Sequence, residues 1–188
     1  VKLIGENKDS TIIDANGTGT VLAIQANNTA VEGFTIQNGG FGIVVTGQYG
    51  SCSQNNITGS IIRHNDLGLY ISGQGNNAIL NNVICNNVFG VYLDSSDNFL
   101  RHNRMVENNY NFIGELLTYG MQTPYNDIDI SNTVNGKPIY YLFNQADLDI
   151  NPSTFPDIGY LGLINCSNVT VQDLTLTNNG EGMLLSQC

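Results

Sequence analysis

Two pairs of carboxylates, each separated by a single residue, have the spacing that catalysis could use: Asp127 with Asp129 in "NDIDI", and Asp147 with Asp149 in "ADLDI". Residues i and i+2 of a strand face the same way. Glycoside hydrolysis needs two carboxyls about 5 to 9.5 Å apart, one protonated and one ionised. The same spacing also occurs on any solvated strand, so both readings stay open. Beside the second pair stand Tyr140 and Tyr141. Their rings could stack on sugar faces while Asp147 and Asp149 orient the hydroxyls, which makes these four the candidate ligand-binding set. A uronate lyase or epimerase would further need a cation column, and the sequence offers none.

Metal chemistry is thinner. Asp94 and Asp97 in "LDSSDN", with Asp127 and Asp129, supply hard oxygens of the type calcium takes, although no fixed calcium-loop spacing is present. They equally suit turns in which an acid bonds its own backbone. His64 and His102 are the two imidazoles, and Met105 sits at a core-like position. No cofactor is otherwise implied. Cys166 and Cys188 lie one repeat apart, and stacked positions ~4.8 Å from each other fall within disulfide range, so a bridge between them is expected in an oxidising compartment.

The elements that must position these residues follow from a repeat. "FGIVV" (41 to 45), "LGLYI" (67 to 71), "FGVYL" (89 to 93) and "EGMLL" (181 to 185) superpose, aligning Gly42, Gly68, Gly90 and Gly182. Three residues earlier come Gly39, Asn65, Asn87 and Asn179, and Asn108 with Asn111 continue the pattern. Such a period marks a solenoid. Asn and Gly tolerate a left-handed backbone and so mark corners. Between corners the apolar residues alternate: Ile43 and Val45, Leu69 and Ile71, Val91 and Leu93, Met183 and Leu185. Two further columns are Val31, Ile57, Ile79, Leu100, Val171 and Ile36, Ile62, Ile84, Met105, Leu176. The fold class is therefore all-β: one right-handed, single-stranded parallel β-helix over residues 1–188, with about seven coils of roughly 21–26 residues. Its side-chain amides are placed to hydrogen-bond along each column. A small loop, "GQYGSCSQ", and one long insertion at about 114–160 interrupt it.

Composition narrows the partners. The 188 residues carry a net charge of -10 with only six basic residues, scattered along the chain. That leaves no positive stripe for nucleic acid and no polybasic segment for anionic lipid. No apolar run is long enough for membrane insertion as a helix. Sequons at Asn16, Asn27, Asn56, Asn165 and Asn168 are the glycosylation candidates and suit an extracellular or cell-surface protein. A start without Met and an end inside a repeat are expected of a fragment of a longer chain, whose further β-helix coils or self-assembly would cover the last strand edges.

The phrases "GLYISGQGNNAILNNVICNN", "GVYLDSSDNFLRHNRMVENN" and "NTVNGKPIYYL" followed by "GYLGLINCSNVTVQDLTLTNNGEGMLL" resemble the NosD-like, CASH-domain family of parallel β-helix (PbH1 repeat) proteins of archaeal cell surfaces. The resemblance implies an extracytoplasmic right-handed β-helix. The family name also records copper delivery, for which no His- or Met-rich cluster is present here. The expected function is a non-catalytic surface module binding polysaccharide or envelope partners through its flank and insertion. The alternatives are a polysaccharide hydrolase or lyase using the same acids, and a self-assembling sheath or surface-layer component.

Overall fold

A computed structural model describes residues 1–47, 52–114 and 125–188. Parts of the expected loop (48–51) and of the expected insertion (115–124) lie outside the described residues. Every regular element among the described residues is a strand. Five rungs of three strands come first: β1 (Lys2–Ile4), β2 (Ile12–Asp14), β3 (Thr20–Ile24); β4 (Ala30–Glu32), β5 (Thr35–Gln37), β6 (Phe41–Thr46); β7 (Asn56–Thr58), β8 (Ile61–Arg63), β9 (Leu67–Ser72); β10 (Ala78–Leu80), β11 (Val83–Cys85), β12 (Phe89–Asp94); β13 (Phe99–Arg101), β14 (Arg104–Val106), β15 (Tyr110–Ile113). A partial rung, β16 (Asp127–Ile128) and β17 (Thr133–Val134), follows. Then come β18 (Lys137–Phe143), β19 (Ala146–Ile150), β20 (Tyr160–Ile164), β21 (Ser167–Val171) and β22 (Leu184–Ser186). The result is a parallel β-solenoid of about seven turns.

Rungs stack in register because each strand repeats the same inward residue type. Val31, Ile57, Ile79, Leu100 and Ile128 form one buried column, and Ile36, Ile62, Ile84, Met105 and Val134 a second. The third face buries Ile43, Leu69, Val91 and Phe112. Each fully buried aliphatic side chain contributes ~1.5–3 kcal/mol relative to exposure. The first two columns thus end on Ile128 and Val134, not on Val171 and Leu176. Val171 pairs with Ile150 instead, and Leu176 packs in a separate apolar cluster with Ile150, Leu161 and Leu163.

The corner asparagines act through their side chains. In one ladder the Asn65 N–H and its Nδ2 both donate to Asn87 Oδ1, at 2.9 and 3.1 Å. Asn87 donates in the same way to Asn108 Oδ1, and its second Nδ2 hydrogen goes to the Ile62 carbonyl. Parallel ladders run Asn55, Asn77, Asn98, Asn126 and Ser60, Asn82, Asn103, Asn132 at the other two corners. Both hydrogens and both lone pairs of such an amide are used, which is what lets it be buried. The left-handed backbone belongs to the residue just before each ladder position: His64, Asn86 and Glu107 at one corner, Asn81 and His102 at another. The repeating glycines are fixed by space, not by φ. A Cβ on Gly90 would lie 2.4 Å from the Asn111 carbonyl oxygen, and one on Gly68 would lie 2.7 Å from that of Gly90.

The interruption expected at 114–160 is narrower, because β16 and β17 are solenoid strands with Asn126 and Asn132 in the ladders. After them the chain reverses. Asn135 and Gly136 both have positive φ, 49° and 81°, and form a two-residue hairpin turn that sets β18 antiparallel to β17. β20 and β22 then add parallel to β18, and β21 adds to β19. Gly182 does not occupy the glycine column: its Cβ position is open, while Met183 and Leu185 are 36% and 57% exposed and Leu184 packs inward.

Candidate functional site

The candidate residues from the sequence scatter. Arg101 holds Asp127 and Asp129 together, with Nη2 to Asp127 Oδ1 at 2.7 Å and Nε to Asp129 Oδ2 at 3.0 Å, while the Ser131 hydroxyl closes on Asp129 Oδ1. The guanidinium also covers the Phe99 ring at 3.9 Å. Both acids are thereby engaged as an inter-rung brace. Asp147 accepts from Asn168 Nδ2 at 2.6 Å and Asp149 from Gln172 Nε2 at 2.9 Å, both on the exposed edge of β19. Tyr140 is half-buried against Phe155, ring centroids 5.2 Å apart. Tyr141 is 8% exposed inside the core, and burial pushes its hydroxyl far above the usual tyrosine range, so it cannot stack on a ligand from solvent. The four-residue binding set therefore does not form one surface.

Asp94 accepts from the Tyr70 hydroxyl at 3.1 Å, and Asp97 takes the left-handed position before Asn98. His64 and His102 occupy that same position at two different corners, both exposed, and Met105 is fully buried. Among the described residues no three His, Cys, Asp or Glu side chains converge as a metal site. Cys166 and Cys188 carry free thiols, bonded to the Leu142 and Leu163 carbonyls respectively. They follow the paired residues Ile164 and Ser186 by two positions each, so they remain one rung apart. Of the sequons, Asn16 and Asn27 are exposed, Asn165 and Asn168 donate to Asn144 and Asp147, and Asn56 lies half-buried in β7.

A different surface gathers aromatic chemistry. On the outward face of the third sheet, Phe41, Leu67, Phe89 and Tyr110 form one column, and Val44, Tyr70, Tyr92 and Ile113 the next. Thr46, Ser72 and Asp94 make a polar third column alongside. The Phe89 and Tyr110 rings stack at 5.1 Å and 16°, and Tyr70 leans on Tyr92 at 5.3 Å. Phe41 and Tyr110 are 40% and 43% exposed. Burial raises the Tyr70 hydroxyl above its usual range, keeping it a neutral donor to Asp94.

At the end of this strip the segment 178–181 lies along β15, through Gly180 N–H to the Phe112 carbonyl and Asn111 N–H to that of Asn178. It leaves a depression of about 310 Å³ between Phe89, Tyr92, Tyr110, Ile113 and Glu181. Glu181 Oε1 accepts from the Gly114 N–H and from the hydroxyl of Tyr160, whose pKa is lifted well above normal by burial and by that carboxylate. Glu181 Oε2 and Asp94 Oδ1 are buried oxygens without a hydrogen-bond partner. The outward aromatics stand in the repeated phrases at the positions that alternate with the inward residues.

The family described as periplasmic copper-binding protein (NosD) matches residues 5–120. No curated protein and no solved structure matches the chain.

Proposed function

Since the chain belongs to the NosD family of periplasmic copper-binding proteins, we propose that it is a non-catalytic β-helix module of the cell envelope that holds extended glycan chains on the aromatic face of its third sheet. The observation that carries this is the outward pair of columns, with exposed rings at Phe41 and Tyr110 and the half-buried Phe89 ring stacked on Tyr110. Successive rungs offer rings at ~4.8 Å intervals, so an extended chain laid along the stack meets an apolar platform unit after unit. Aromatic faces cover the apolar faces of sugars, and the polar column at Thr46, Ser72 and Asp94 is placed to meet hydroxyls at the side. A surface module of this kind needs no enclosed pocket.

Copper, which the family description names, is not supported by the described residues. Copper(II) takes imidazole and copper(I) takes soft sulfur, converging on one point. Here the two imidazoles stand at different corners and Met105 lies in the core. No step in the proposed function involves the metal.

The proposal is tested by isothermal titration with neutral glycan oligomers on the native chain and on Phe89→Ala/Tyr110→Ala. Loss of about tenfold in affinity is expected, the scale of one to two lost ring contacts. Unchanged binding would place the ligand elsewhere. The competing hydrolase reading needs turnover: reducing-sugar release that disappears in Asp147→Asn/Asp149→Asn would replace the proposal.

A further inference from the structure

From the charge pattern of the same face we infer its glycan class: it takes sugars bearing amino groups and rejects uronates and sulfated chains. This rests on reading the face as a glycan platform. The three outward columns contain no Lys or Arg in β6, β9, β12 or β15, so nothing there neutralises an acidic sugar. They are bordered instead by two carboxylates, Asp94 beside Tyr70 and Glu181 at the far end of the strip. Each accepts from a tyrosine hydroxyl through one oxygen, and each residue is only half-buried, so its charge acts on the face. A donor that also carries positive charge is attracted to such a carboxylate more strongly than a neutral hydroxyl is. The rings strengthen the same choice, since an ammonium over a tyrosine or phenylalanine face is attracted by its quadrupole. The chain's net charge of -10 acts in the same direction at longer range, drawing polycations in and holding polyanions off.

The inference predicts an order of affinity measured on the native chain below the pKa of the sugar amine. Oligomers of glucosamine bind best, their N-acetylated counterparts and cello-oligomers bind about tenfold more weakly, and oligogalacturonate does not bind; tenfold is the scale that two half-exposed ion pairs supply. Raising salt to ~0.5 M should shrink the preference toward equality by screening, leaving the ring-dependent part. Asp94→Asn should lower the affinity for the glucosamine oligomer more than that for its N-acetylated counterpart, because it removes the charge and keeps a side chain that still meets hydroxyls. Glu181→Gln should act likewise; because Glu181 also braces Tyr160, its variant is compared at matched folded fraction. Equal affinity for the amino and N-acetylated oligomers, or tighter binding of oligogalacturonate, overturns the inference and leaves the glycan platform standing. Failure of every oligomer to bind, with Phe89→Ala/Tyr110→Ala showing no difference, removes the platform itself and the inference with it.

Discussion

At the scale of single residues, the ladder amide and the left-handed position before it are separate devices, and they respond to substitution in opposite ways. Asn87→Ala deletes the acceptor for two Asn65 hydrogens and the donor to Asn108 and to the Ile62 carbonyl, all of them buried. The expected loss is about 2–4 kcal/mol, read as a lower denaturation midpoint in urea. Glu107→Asn, at a left-handed position outside the ladder, should instead leave stability unchanged or raise it by a few tenths of a kcal/mol, because Asn tolerates that backbone better than Glu. The buried tyrosines give a pH signature. Tyr141 and Tyr160 have hydroxyl pKa values raised in the folded state, so the stability they carry is complete below the unfolded value of 10.0 and is lost as pH climbs from there toward the folded values. Melting temperature should therefore be insensitive to these groups at neutral pH and drop steeply in alkali. In Tyr160→Phe the alkaline drop should be shallower; an identical slope would show that Tyr160 is not the group that titrates.

At the scale of elements, Gly90→Ala and Gly182→Ala distinguish two registers. Gly90 lies under the carbonyl of Asn111, so a methyl group there forces rungs apart, at a cost of about 1–3 kcal/mol. Around Gly182 there is open space, and alanine should change the melting temperature by no more than about 2 °C. The sequence pattern predicts equal losses at the two sites, and that difference shows how far the pattern reached. Through Met105 every rung repeats the same inward residue at the same offset, so matching columns was enough to find the sheets and their register. Past Asn135–Gly136 the chain turns back on itself, and matching by period assigned Val171, Leu176 and Gly182 to columns that belong to the first stack. The turn signal was written in "VNGK", but a hairpin inside a parallel solenoid is not implied by the repeat. The aromatic strip was hidden for another reason. Alternation identifies a buried face by its apolar residues, and large rings on the opposite face are then dismissed as surface. The thiols one rung apart add a third element-scale expectation. Exposure of the folded chain to a mild thiol oxidant should leave two titratable thiols after denaturation, those of Cys52 and Cys85, whereas four would show that Cys166 and Cys188 stay apart.

For the whole molecule, the opposed forces are an apolar, amide-laddered interior and a surface with few cations. Sixteen acids face six basic residues, and ion pairing among the described residues is concentrated at Arg101 and Lys2. The interior columns and ladders are shielded from salt by burial, whereas the repulsion among surface carboxylates is not. Raising sodium chloride from ~10 to ~150 mM should therefore increase the melting temperature, by a few degrees if about 1 kcal/mol of repulsion is screened. Arg101→Met should show a larger salt response than the native chain. Asp127 and Asp129 then face each other without the guanidinium, and screening acts on a new repulsion within their rung. If the native melting temperature instead falls with salt, surface ion pairs outweigh surface repulsion. That outcome would also remove the long-range part of the argument for amino-bearing glycans, since the same acidic field is invoked for both. A rise in melting temperature together with a salt-weakened preference for glucosamine oligomers would tie stability and ligand choice to that one charge distribution.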